Sequence, residues 1–187
     1  MDHLSWVAAA IAMAVLLAWY LSYGAARLDR LHARVEGALS ALDAQLVRRA
    51  EATLELANSG SLDPASALIL ASAASDSLEA EAGAETESHT TREAIESDLT
   101  QALELALSAE ALRQLREDQA VGAPALQRVA AANQRVQLAR RFLNDAVTDV
   151  QRVRRKPGVR LLRLAGHAEL PQTFEIDDEL PMLARGV

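Results

Sequence analysis

Residues 129–153 read VAAANQRVQLARRFLNDAVTDVQRV, and this stretch decides the fold. Its apolar positions are Val129, Ala132, Val136, Ala139, Leu143, Val147, Val150 and Val153. They step by three or four residues throughout, which is the repeat of one face of an α-helix. Lys156, Pro157 and Gly158 follow, a basic last turn and then two helix breakers. Asn133 and Asn144 lie beside the apolar stripe, where a buried amide would fix helix register.

The same period recurs upstream. Leu28, Leu31, Val35, Leu39, Leu42 and Leu46 predict a helix over 27–56, closed by Asn58-Ser59-Gly60. Asp63-Pro64 reads as an N-cap followed by proline at the first helical position, opening a helix over 64–82. The polar segment 83–91 reads as a loop. Ile95, Leu99, Leu103, Leu107 and Leu115 mark a helix over 91–118, with Thr90 or Thr91 as its cap. Gly122-Ala123-Pro124 reads as the next break. Four amphipathic helices with short connections fold most simply as an antiparallel up-down bundle over 27–156. Residues 157–187 are expected to pack in part, through Val159 to Leu164, and then to fray where Glu169 to Glu179 carry five acids.

Ahead of this all-α body, residues 4–23 contain no charge. Twenty helical residues span about 30 Å, the hydrocarbon thickness of a bilayer. Trp6 lies near one end and Trp19, Tyr20 and Tyr23 near the other, where amphipathic rings favour the two interfaces. A cleaved signal peptide ending near Gly24-Ala25-Ala26 is the competing reading. It lacks a basic leader, and the apolar run exceeds the about 7–15 residues of a signal sequence. Arg27, Arg30 and Arg34 follow the span, so the positive-inside rule puts the N-terminus outside and the body in the cytoplasm. The same arginines are candidates for contact with anionic lipid.

Composition narrows the function. Aromatic residues are 3% of the chain, and after Tyr23 only Phe142 and Phe174 remain, so the core is built from Leu, Ala and Val. There is no cysteine. The net charge of −7 argues against nucleic acid as the main partner. Charge is nonetheless uneven: Asp76 to Glu104 holds nine acids and one base, Arg128 to Arg160 nine bases and two acids. Facing helix flanks explain that asymmetry most simply. The glycines form no phosphate-binding pattern, no serine sits in a nucleophile elbow, and His3, His32, His89 and His167 lack metal-ligand spacing. No catalytic, cofactor or metal residue is expected.

Two stretches together resemble the LemA family of bacterial membrane-anchored proteins. The first follows the anchor and places Asp43, Leu46, Arg48 and Arg49 near the end of the opening helix. The second places Ala139, Arg140, Arg141, Asn144 and Val147 in the late helix, followed by Phe174-Glu175. About half of the chain takes part. Leu143 stands where the family has Tyr, Gly122-Ala123-Pro124 stands where it has Tyr-Pro, and residues 60–120 depart from it. The resemblance implies a membrane-tethered antiparallel helical bundle, with no reaction and no cofactor. It makes Arg48, Arg49, Arg140, Arg141 and Asn144 candidates for contact with a partner protein. The expected role is that of a non-enzymatic, single-pass interaction or scaffold protein. A coiled-coil relay that signals through dimerisation is the alternative.

Overall fold

The computed structural model describes residues 2–82, 89–155 and 170–184. Among these there are helices and no strand. The helices are α1 (Asp2–Ala57), α2 (Pro64–Ala82), α3 (His89–Ala106), α4 (Ala109–Glu117), α5 (Gly122–Arg154) and α6 (Pro181–Ala184). The expected anchor and first body helix are thus one element: α1 runs on through Gly24, with no proline between Tyr23 and Arg27 to interrupt its hydrogen bonds. Within α1, residues 5–20 are all exposed. This helix is long and apolar enough to cross a membrane.

Local chemistry sets the other boundaries. Gly60 adopts φ +75°, the left-handed region that glycine enters without cost, and stops the chain after α1. The Asp63 carboxylate accepts from the backbone N–H of Ala65 and Ser66 and caps α2. The Ser66 contacts hold this carboxyl below its ordinary range. The helix expected over 91–118 is instead two. Ser108 takes up an extended conformation and its hydroxyl accepts from Ala111 N–H at 3.2 Å, capping α4 and ending α3. Thr90 and Thr91 lie inside α3 and do not cap it, and of the expected loop only 83–88 stays outside the described residues. Gly122-Ala123-Pro124 opens α5 instead of breaking the chain. The first turn of a helix has no use for its N–H groups, so proline is tolerated there. Asp118 supplies the missing acceptors, receiving the N–H of Ala120, Val121 and Gly122.

The chain divides into two compact units. One comprises Met1–Gly37 and Asn144–Thr173. In it Leu28, Val147 and Val150 are buried, Arg34 lies 3.5 Å from Asp149, and Gln151 donates to the Pro171 carbonyl. Val159 to Leu164 lies outside the described residues.

The other unit comprises Ala38–Leu143 and Phe174–Val187. Its main core joins Leu56, Leu70, Leu103, Leu115, Leu126 and Val129 with Leu180 and Leu183. A second cluster joins Ala50, Ala74 and Leu99. Val136 and Leu143 are both buried, as the period of the late helix requires. The acidic tail does not fray. Phe174, Ile176, Asp178 and Leu180 are buried while Glu175, Asp177 and Glu179 are exposed. An extended strap with period two hides its apolar residues and leaves its acids in water, so its acidic composition does not oppose packing.

Candidate functional site

The apolar seam of α1 continues past Leu42 and Leu46 through Arg49, Thr53 and Leu56, at steps of three and four, and all five are buried. The period therefore carries a guanidinium into the core. Arg49 is fully buried, and so is Glu96 of α3, with 2.7 Å between Nη2 and Oε2. Arg49 Nη2 also donates to the Glu96 carbonyl at 2.8 Å. Its Nη1 donates to Thr100 Oγ1 and to Asn133 Oδ1, at 3.1 and 3.3 Å. Glu96 receives a further hydrogen bond from the Ser77 hydroxyl of α2 at 2.7 Å. Arg92 adds a second positive charge 3.1 Å from Glu96 Oε1. Four helices, α1, α2, α3 and α5, thus each place a polar side chain on one buried point. The Nε atoms of Arg49 and Arg92 are buried without a partner. Transfer of these charges from water is costly, and only the pairing makes it tolerable.

Asn133 connects this lock to the strap. Its Nδ2 donates to the Asp178 carbonyl at 3.0 Å, and Gln137 Nε2 donates to the same oxygen at 2.6 Å. Arg140 grips the Asp178 carboxylate with two hydrogen bonds, Nε to Oδ2 at 2.7 Å and Nη2 to Oδ1 at 3.0 Å. That planar fork holds the Arg140 guanidinium proton even more firmly than usual, raising an already high pKa. On the other edge of the strap, Glu93 and Ser97 of α3 accept the N–H of Glu175 and Asp177.

The five candidate residues therefore separate. Arg49 is a core residue and no surface contact, because the seam of α1 runs through it. Arg140 holds the strap, and its carboxylate comes from Asp178, not from the acidic helices. Arg48 and Arg141 are exposed, and Asn144 belongs to the other unit. Asn133 ties helices by buried hydrogen bonds.

Sequence reasoning missed Glu96, Ser77, Asp178 and the exposure of Phe142. Glu96 had a signal: it lies three residues before Leu99 and seven before Leu103, on their face of the helix. Asp178 had one too, standing midway between Ile176 and Leu180 in an alternating run. The exposure of Phe142 had none in composition.

A shallow groove between α1 and α5 is lined by Ala38, Ala41, Gln45, Arg48, Arg135, Leu138, Ala139 and Phe142. Leu138 and Phe142 are 52% and 64% exposed. Among the described residues no group of three His, Asp or Glu is arranged to hold a metal ion. Arg49 and Glu96 have no access to solvent, so their role in this conformation is to position helices. The chain matches no protein-family model, no curated protein and no solved structure.

Proposed function

We propose that the chain is a membrane-tethered interaction or scaffold protein of LemA-like type, without catalysis of its own. The observation that carries this is the composition of α1. The helix begins with an uncharged apolar span whose residues 5–20 are all exposed among the described residues. It ends in the core residues Leu46, Ala50 and Leu56. Lipid is the natural cover for the first part. In this reading Arg27, Arg30 and Arg34 hold the body on the cytoplasmic side with the N-terminus outside, and the body helices alternate in direction as a bundle. The runner-up, a dimerising relay, needs the seam of α1 for a second chain. Leu42 and Leu46 are fully buried within their own chain, which favours the self-contained body.

Alkaline carbonate extraction of membranes, together with reporter domains fused after Val187, tests the proposal. The chain should stay with the membrane, and a reporter that works only in the cytoplasm should be active. Release by carbonate would refute the tether, and activity of a periplasm-only reporter would refute the orientation.

A further inference from the structure

Phe142 is one of two aromatic residues after Tyr23, and unlike the buried Phe174 it faces solvent. It stands with Leu138 on the α5 wall of the groove described above, opposite Ala38 and Ala41 of α1. Arg48 and Arg135 line the same groove. Among the described residues neither guanidinium meets a carboxylate within ion-pair distance. A large exposed ring and Leu138 beside small side chains form an apolar patch rimmed by polar groups, the mark of an interaction surface.

We infer that this groove is a docking site for an amphipathic α-helix of another protein, with an apolar stripe edged by Asp and Glu. Three arguments choose this occupant. Both walls are helices, whose backbone groups are already bonded within themselves, so the groove cannot add a strand; an incoming chain must satisfy its own backbone, as a helix does. Its volume of about 280 Å³ lies below the about 300–1,000 Å³ of small-molecule pockets but accepts side-chain anchors from a ridge, and Ala38 and Ala41 let that ridge come close. The charge of the rim selects acids. A second copy packed groove to groove would set Arg48 and Arg135 against their own kind. The chain's own segment 156–169 carries Lys156, Arg160 and Arg163 and would meet the same repulsion. A bilayer surface is met by a protruding apolar edge, and this one is concave.

The inference names the partner class of the proposed scaffold and rests on that reading only for location. The test uses the full chain in phosphatidylcholine nanodiscs. The probe is a fluorescent peptide of about 20 residues, above the about 12–15 at which isolated helices are marginal. It has a Leu stripe at helical spacing edged by Glu, and the control peptide replaces every Glu by Lys. At low salt the Glu-edged peptide should bind at least about tenfold more tightly. Phe142→Ser should weaken binding about tenfold or more with unchanged melting, and the pair Arg48→Glu/Arg135→Glu should invert the preference to the Lys-edged peptide. If Phe142→Ser lowers the melting temperature, Leu138→Ser on the same wall replaces it. Equal affinity for the two peptides, no binding, or binding indifferent to both wall variants would overturn the inference. So would self-association lost on Phe142→Ser, or Phe142-dependent recruitment to phosphatidylserine vesicles in place of peptide binding. Carbonate extraction is read separately, so loss of the tether and loss of the docking site are told apart.

Discussion

Glu96→Gln should be the most destabilising conservative change in the body of this protein. The substitution keeps the shape of the side chain and removes only its charge. Arg49 is then left fully buried with no counterion, and Arg92, 12% exposed, loses the same carboxylate. The Ser77 hydroxyl and the Arg49 Nη2 lose a charged acceptor, each now 2.7 Å from the Glu96 carboxylate. Breaking a buried pair by removing one partner costs about 3–5 kcal/mol. For a chain of this size each kcal/mol lowers the melting temperature by about 2–4 °C, so a fall of about 6–20 °C is expected. The assay is thermal unfolding of the full chain in detergent micelles, followed by far-ultraviolet circular dichroism. Two further variants locate the cause. Glu110→Gln breaks an ion pair whose partners are both exposed and should leave the melt unchanged. The double change Arg49→Met with Glu96→Leu should be less damaging than the sum of its parts by about 1–3 kcal/mol, because it removes both charges together. If Glu96→Gln melts within about 2 °C of the parent protein, the four helices are not held by a buried charge and the argument for the lock fails.

Other consequences follow from the same packing. Leu143→Ala should cost about 2–5 kcal/mol in the same melt, since it empties a buried site on the α5 seam. Arg140→Gln should cost about 1.5–3 kcal/mol by leaving the buried Asp178 carboxylate without its fork, and faster hydrogen exchange should appear in residues 174–180; Arg141→Gln should change neither. Gly122→Ala should cost about 1–3 kcal/mol, because a Cβ there would lie 2.9 Å from the Leu115 carbonyl oxygen, and backbone cannot yield as a side chain can. Asp118 gives a pH signature. The Ser61 hydroxyl, then the N–H groups of Val121 and Gly122, hold its carboxyl below the ordinary value of 3.8. A depressed carboxyl stabilises the fold fully above that value and stops doing so as the pH falls through its lowered one. Acid titration of the melt should therefore show a loss of stability below 3.8 that Asp118→Asn flattens.

The elements were largely legible in the sequence, because helix formation and its ends are local events. Asp63-Pro64 marked the start of α2, Gly60 the stop of α1, and the period of Val136 and Leu143 the buried face of α5. Two local boundaries were not legible: the leucine period runs unbroken through Ser108, where the structure caps a new helix, and Gly122-Ala123-Pro124, which reads as a break, opens a helix. In the candidate site the apolar period of α1 continues beyond Leu46 to Arg49, but a guanidinium is buried only where a carboxylate waits for it, and Glu96 is 47 residues away. Arg140 instead grips Asp178, which lies 38 residues away in a segment whose acidity suggested solvent.

The sequence by itself determined that the body is helical and where most of its helices run, that residues 4–23 form an uncharged span long enough for a bilayer, and that the core is aliphatic. Those properties depend on residue type and spacing within a few turns. Tertiary structure alone decided that Arg49, Ser77, Glu96 and Asn133 meet at one buried point, that the strap from Phe174 to Leu180 lies between Arg140 and Ser97, and that Phe142 stays uncovered. Each is a pairing between residues distant in the chain. Local spacing gives the direction in which a side chain leaves its helix, but which surface waits there is set by how the helices pack.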